Sequence, residues 1–195
     1  MYFKKFPTTI WNKTKVVDIT RRAVLLEKFA DSPYAFLPYT MKEEDSIESV
    51  ALYYYGDPKL SWLILVANNI IDPYTDMWKN QSTFEKYVAQ QYRYDAEVSE
   101  GRYDTNTYVP MTEREIVEWT MNETITDNVV HYYSTFNKEI HISKLTYSEF
   151  PNNEFLPLRI YDYENEVNES RRNIKLIAQN YVKQVTQELE NILND

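Results

Sequence analysis

The stretch that decides the fold is DSIESVALYYYGDPKLSWLILVANNIIDP, residues 45–73. Asp45, followed three residues later by Glu48, is a helix-start signal. Gly56, followed by Asp57-Pro58, ends the predicted helix, because glycine adopts the left-handed conformation of a helix C-terminus and proline cannot continue a helix. Between these signals the apolar side chains recur with helical spacing, at Ile47, Val50, Ala51 and Tyr54.

Residues 60–67, which follow this turn, are apolar on nearly every side, so their periodicity leaves two alternatives open. On propensity alone the run could be a core strand. As a helix it would close at Asn68 and Asn69, since Asn tolerates the left-handed cap position.

Two further helix starts and one hairpin are predicted downstream. Ser82 and Thr112 are each followed three residues later by Glu, and apolar residues then recur with helical spacing, as far as Tyr92 in the first case. Residues 129–134 and 139–144 are rich in β-branched and aromatic residues, a pattern typical of a β-hairpin.

The N-terminal part of the chain is ambiguous. Asp18 could cap a short helix over residues 19–29. Residues 23–26, however, form a short apolar run that fits a buried strand equally well.

Residues 163–195 are predicted to form one long amphipathic helix, of which roughly thirty residues would span about 45 Å. Part of its apolar face could cover the chain's own core or could bind a partner. The stripe that defines this face consists of Ile174, Ile177, Ala178, Tyr181, Val182, Val185, Leu189, Ile192 and Leu193.

The composition excludes several classes of chemistry. The 195 residues include no Cys and only 2 Gly, so thiolate zinc sites, disulfides and glycine-rich phosphate loops are excluded. The formal net charge of −9 argues against general nucleic-acid binding. The N-terminus lacks the apolar core of a signal peptide, and no apolar run is long enough to cross a membrane.

Catalytic and metal-binding patterns are also missing. The 2 histidines, His131 and His141, have no His-x-x-x-His or Glu-x-x-His spacing, and we interpret them as residues on the faces of strands. The acidic clusters lie at predicted helix starts, where they complement the helix dipole. We therefore expect no enzyme activity, no metal ion and no cofactor.

The stretch around residues 45–73 resembles a LysM domain, a small β-α-α-β module best known for binding peptidoglycan and chitin. The resemblance favours a helix for residues 60–67. It implies a fold of the α+β class, a LysM-like module with a flanking β-hairpin and a long C-terminal helix. The implied module core is Val50, Ala51, Trp62, Leu63, Ile64 and Val66, with Trp62 between the two short helices.

Motifs outside this stretch extend the resemblance. Tyr2-Phe3-Lys4-Lys5-Phe6-Pro7, Asp18-Ile19-Thr20-Arg21-Arg22 and the segment from Asn168 to Ile177 are similar to the LysM-containing baseplate wedge subunit of contractile-tailed, T-even-like bacteriophages. The resemblance implies a structural protein of the virion tail baseplate, assembled in the cytoplasm of the bacterial host. Its implied partners are the wedge-core subunits and the sheath-initiating wedge subunit, with no nucleic acid and no membrane.

Under this interpretation the chain has four segments: an N-terminal interaction segment 1–38, the LysM-like module 39–94, a mixed region with the hairpin 95–160 and the C-terminal helix 161–195. Peptidoglycan binding is not expected, because the loop around Glu43-Glu44-Asp45 is acidic and lacks glycine. A peptidoglycan-binding module with a cell-wall or lysis function is the alternative. Tyrosines are enriched at interfaces, and the candidate interface residues are Tyr53, Tyr55, Val185, Leu189, Ile192 and Leu193.

Overall fold

The computed structural model describes residues 8–17, 34–102, 108–149, 151 and 153–194. The fold is α+β, as predicted, with helices and small antiparallel sheets. The chain divides into two compact units, one made of Met1–Trp78 and Arg171–Asp195 and the other of Lys79–Ser170. The alternative helix at 19–29 or strand at 23–26 lies outside the described residues.

The first unit begins with strands β1 (Thr8–Trp11), β2 (Thr14–Val17) and β3 (Phe36–Thr40), followed by helices α1 (Ile47–Tyr55), α2 (Ser61–Ala67) and α3 (Pro73–Asp76). The second unit contains α4 (Gln81–Ser99), α5 (Glu113–Met121), β4 (Val129–Ser134), β5 (His141–Ile142), α6 (Lys144–Glu149), β6 (Phe155–Arg159) and α7 (Ile160–Ser170). The chain then returns to the first unit with β7 (Asn173–Ile177) and α8 (Gln179–Asn194).

Helix α1 begins with a capping box, but its residues differ from the predicted pair. The Ser46 hydroxyl accepts a hydrogen bond from the Ser49 N–H, and the Ser49 hydroxyl accepts one from the Ser46 N–H. Asp45 instead closes the preceding loop, where its carboxylate accepts hydrogen bonds from the Lys42 N–H and the Tyr39 hydroxyl. Gly56 ends the helix with φ at 79°, as its position predicted.

The ambiguous run at 60–67 is helical, which is the alternative that the resemblance favoured. A short 3₁₀ turn at Pro58–Leu60, capped by the Asp57 side chain, leads directly into α2. Asn69 adopts a positive φ of 56° just beyond the helix, in agreement with the predicted cap region. The chain then enters α3, which the Asp72 side chain caps.

Strands β3 and β7 form the sheet of the first unit in an antiparallel register that pairs Phe36 with Ile177 and Thr40 with Asn173. With α1 and α2 they give a β-α-α-β arrangement whose second strand arrives only after the whole of Lys79–Ser170. Two apolar clusters pack against this framework. One contains Trp62, Leu63, Ile177 and Val185, and the other contains Met41, Val50, Ala51, Ile64, Met77, Trp78, Ile174 and Leu176.

The predicted single helix over 163–195 is wrong. Helix α7 ends at Ser170, strand β7 intervenes, and α8 begins at Gln179. The helical stripe omitted Leu176, which is buried together with Ile174, whereas Lys175 between them is exposed. This alternation has the period of a strand, and pairing with β3 satisfies the backbone of that segment.

The second unit has a helical core built from α4, α5 and α7. Helix α5 begins with the predicted capping box, in which the Thr112 hydroxyl and the Glu115 carboxylate bond each other's backbone N–H. Helix α4 is capped by Asn80, earlier than the predicted Ser82, and continues past Tyr92 to Ser99. The shared core contains Ala89, Ala96, Met111, Ile116, Val117, Trp119 and Ile160.

The predicted hairpin exists but is shorter than expected. Strand β4 pairs with β5 only at Tyr132–Ile142 and Tyr133–His141. Its other edge pairs with β6, which the sequence did not predict because Pro157 lies within it. Proline is tolerated there because β6 is an edge strand in the order β5-β4-β6.

Candidate protein-interaction surface

The predicted module core lies mostly inside the first unit. Val50, Ala51, Leu63, Ile64 and Trp62 are buried, whereas Val66 is only half-buried at the edge of the Trp62 cluster. Trp62 shares that cluster with residues of β7 and α8, so it does not simply fill the space between the two short helices as predicted. The core of this unit therefore depends on the returning segment of the chain.

The first half of the C-terminal helix α8 contributes a side chain to the apolar core of the first unit. Val185, a predicted interface residue, is 3% exposed and belongs to the Trp62 cluster, so it is not available to a partner. The hydrophobic effect holds this turn of α8 against the first unit's own apolar residues. The side chains of Leu189, Ile192 and Leu193 lie outside the described residues, and their interface role stays a prediction.

The two predicted interface tyrosines occupy different environments on α1. Tyr53 is 87% exposed. The Tyr55 hydroxyl accepts a hydrogen bond of 2.9 Å from the Ile177 N–H, and burial raises the pKa of this phenol. Tyr55 therefore connects α1 to β7 within the chain. Of these two predicted interface tyrosines, Tyr53 is the one whose ring is exposed to solvent.

The β1–β2 hairpin lies within the predicted N-terminal interaction segment 1–38, but the sequence analysis did not predict the hairpin or single out its exposed residues. Ile10 is 79% exposed and Trp11 is 75% exposed. The signal was present in the sequence, because the β-rich runs 8–11 and 14–17 flank the two turn residues Asn12 and Lys13. This hairpin signal was weak, because Asn-Lys is not one of the usual Asn-Gly or Asp-Gly turn pairs.

Further large apolar side chains are exposed on each unit. Such residues occur singly on most proteins, and only contiguous groups of them indicate a binding surface. In the first unit they include Tyr34, Leu52, Tyr53, Ile71 and Tyr74, and in the second Tyr94, Val109, Phe136, Ile140 and Leu145. Among the described helices, none combines the length and apolarity needed to cross a lipid bilayer.

The two histidines stack on each other within the second unit. The ring centroids of His131 and His141 are 4.2 Å apart, with an angle of 20° between the planes. His131 Nε2 is buried without a hydrogen-bond partner, and burial together with His141 lowers the pKa of His131. Burial therefore favours the uncharged form of His131, which lies on strand β4.

Beside this pair lies a pocket of about 260 Å³, lined by Tyr133, Lys138, His141, Asp162 and Glu166, among others. His141 Nε2 lies 2.5 Å from the Lys138 carbonyl oxygen. Among the described residues, no group of three or more His, Asp or Glu side chains is placed to hold a metal ion.

The acidic residues with described contacts mainly complete local structure. Hydrogen bonds from Thr112 and Arg102 lower the pKa of Glu115 to about 2, in its role as capping residue. The buried Glu97 carboxylate accepts hydrogen bonds from the Tyr108 hydroxyl and the Met111 N–H. Burial and the Asp45 carboxylate raise the pKa of Tyr39 to about 12. These contacts cap a helix and join segments of the chain.

Comparison with known proteins gives one family. No curated protein matches the chain. The family described as base plate wedge protein 53 matches residues 4–192, which is nearly the whole chain. The chain belongs to the base plate wedge protein 53 family, a group of structural proteins of the phage tail baseplate.

Proposed function

We propose that this protein joins neighbouring wedges during assembly of the tail baseplate through protein–protein contacts. The family match over residues 4–192 carries the proposal, since it supports a structural role among other baseplate proteins. The wedge-core subunits and the sheath-initiating wedge subunit of a contractile tail are the proposed partners. The proposed place of assembly is the cytoplasm of the bacterial host.

The β-α-α-β arrangement of the first unit is proposed to be a LysM-like module that contacts proteins and not peptidoglycan. In the loop before α1, the Asp45 carboxylate is already engaged by Tyr39 and by the Lys42 N–H. Glu43 and Glu44 add negative charge to the same loop. Saturable sedimentation of the chain with purified cell wall would instead favour the peptidoglycan-binding alternative.

The end of α8 is the proposed docking element. Val185 anchors the beginning of the helix in the core. Leu189, Ile192 and Leu193 continue the apolar spacing beyond it, at intervals suited to helix-in-groove packing. Each apolar side chain buried on a partner would contribute about 1.5–3 kcal/mol before the costs of association.

The double substitution Leu189→Asp with Ile192→Asp tests this element. The isolated chain is expected to keep its circular dichroism spectrum and unfolding midpoint, whereas reconstituted wedges are expected not to join, as measured by gradient sedimentation. The matched control is Gln184→Asp with Gln187→Asp, which adds the same charge at exposed positions of the same helix.

Two results would contradict the proposal. Complete baseplates formed with the Leu189→Asp, Ile192→Asp variant would show that the helix end is not an interface. Unfolding of this variant, while the Gln184→Asp, Gln187→Asp control stays folded, would show that the helix end belongs to the core.

A further inference from the structure

The β1–β2 hairpin exposes almost all of its side chains. Its strands pair antiparallel from Thr8–Val17 to Trp11–Thr14. Asn12 and Lys13 form the two-residue turn with φ values of 47° and 64°, the signs of a type I′ turn, whose twist matches that of the strands. Only Val16 is half-buried, and the other hairpin residues are exposed.

The described part of the chain leaves this hairpin largely uncovered. Within the described residues, β1 and β2 pair only with each other. A two-stranded hairpin alone is marginally stable in water, because it can bury little apolar surface. The register places Trp11 near Val16 on one face and Ile10 near Val17 on the other, so both faces carry apolar side chains.

Trp11 differs from the other tryptophans of the chain. Trp11 is 75% exposed, whereas Trp62, Trp78 and Trp119 are 7%, 5% and 4% exposed. Tryptophan is the residue type most enriched among the side chains that dominate binding energy, because a large ring is desolvated in one contact. The exposed indole therefore points to a binding surface.

The positive charge of the hairpin indicates what kind of partner surface it would bind. Residues 8–17 contain Lys13 and Lys15 and no acidic residue, although the chain as a whole has a net charge of −9. Complementary charges steer association and suppress wrong partners. A second copy of the hairpin would offer the same positive charge, whereas an acidic surface on a partner would complement it.

We propose that the β1–β2 hairpin lies in an apolar groove with an acidic rim on another baseplate protein, with Trp11 against one wall of the groove and Ile10 against the opposite wall. The inference rests on the proposed function and names the surface and the partner chemistry. Ile10 and Trp11 fill the groove from opposite faces of the hairpin, and the long side chains of Lys13 in the turn and Lys15 beside Ile10 reach the acidic rim.

Radical footprinting of the full-length protein tests the contact directly. The probe is a preparation of partial wedges purified without this chain. In the free protein, Trp11 is expected to oxidise faster than Trp62, Trp78 and Trp119, as read by mass spectrometry. In the complex its oxidation is expected to fall to the level of those buried tryptophans.

Three variants separate the contributions of the apolar side chains and of the lysines to binding, with one variant as the control. Ile10→Thr with Trp11→Thr keeps β-forming residues in the strand and is expected to weaken binding to partial wedges by about thirtyfold or more. Lys13→Glu with Lys15→Glu is expected to weaken binding most at low salt. Phe136→Thr removes another exposed aromatic ring, 83% exposed, and is expected to bind as the wild type does.

The outcomes distinguish the two proposals. If the wild-type chain does not bind partial wedges, both fail. If it binds while Trp11 stays reactive, or while both hairpin variants bind equally well, only the hairpin proposal fails. Protection of Trp11 by self-association at high protein concentration, or by anionic lipid vesicles and not by wedges, would overturn it in favour of a second copy or a membrane surface.

Discussion

Tyr53 and Tyr55 show how two similar residues of one helix take different roles. The ring of Tyr53 projects into solvent, whereas the Tyr55 hydroxyl accepts the hydrogen bond from the Ile177 N–H. The sequence YYY at 53–55 could not reveal which ring is buried. That choice depends on β7, which lies far away in the sequence.

Tyr55→Phe is expected to lower the free energy of unfolding by about 1–3 kcal/mol, because it leaves the Ile177 N–H without its acceptor. Tyr53→Phe is the matched control and is expected to change it by less than about 0.5 kcal/mol. Urea denaturation of both variants measures the difference. Equal stabilities would show that the Tyr55 hydroxyl contributes nothing to the fold.

His131 is expected to make the second unit sensitive to acid. Burial and the charge of His141 lower the pKa of His131 from its ordinary 6.5 in the folded state, while Glu166 opposes the shift. The unfolded state therefore binds the proton more readily. The stability from this group is fully present above pH 6.5 and is lost as the pH falls through 6.5 towards the folded pKa.

The measurement is urea denaturation over this range for the wild type and for His131→Gln. The wild type is expected to lose more stability on acidification than the variant. His141→Gln is expected to have a smaller effect, since the burial of His131 remains. A wild type whose stability falls no faster than that of His131→Gln would contradict the assignment.

At the scale of elements, one side chain acts as a strand partner. Asn68 Nδ2 donates hydrogen bonds to the Lys175 and Ile64 carbonyl oxygens, at 2.9 Å and 2.8 Å, and Asn68 Oδ1 accepts one from the Lys175 N–H. Asn68 thus ties the end of α2 to the edge of β7 opposite β3.

Asn68→Asp is expected to destabilise the chain by about 1–3 kcal/mol, because a carboxylate cannot donate to the two carbonyl oxygens. Asn173→Asp is the control on the same strand. The described contact of Asn173 is a hydrogen bond that it accepts from the Thr40 hydroxyl, a role that Asp retains. Thermal unfolding that is equally affected by both substitutions would contradict this explanation.

The elements that the sequence predicted are those whose signals are local. The capping box of α5 and the glycine at the end of α1 needed only neighbouring residues. Strand β7 was missed because its pairing partner, β3, lies far earlier in the chain, and its apolar residues also fitted a helical stripe. Strand β6 was missed because it contains a proline, which a strand tolerates at the edge of a sheet. The sequence of a single strand does not show whether that strand lies at an edge.

At the scale of the molecule, the unit Lys79–Ser170 is a continuous segment with its own apolar core. We expect this segment, expressed alone, to unfold cooperatively and to show α+β circular dichroism. A chain ending at Ser170 is expected to lose the protease resistance of the first unit, because it lacks β7 and Val185. Mass spectrometry of the proteolytic fragments measures this. If both units of the truncated chain resist the protease equally, the division into two units is contradicted.

The family relationship shows what sequence motifs could establish about the whole molecule. A baseplate role followed from motifs spread along the chain, including the segment from Asn168 to Ile177. The candidate interface could not be derived in the same way, because exposure depends on packing. Val185 fitted the stripe yet is buried, while Trp11 gave little signal and is exposed.

The return of β7 to β3 also sets an order of events on the ribosome. Lys79–Ser170 can collapse as soon as it has been synthesised, because it is a continuous segment with its own apolar core. Strand β3, made much earlier, must wait for Ile177 before its sheet can form. An interrupted translation product therefore lacks the finished first unit, so incomplete chains are excluded from any assembly step that requires it.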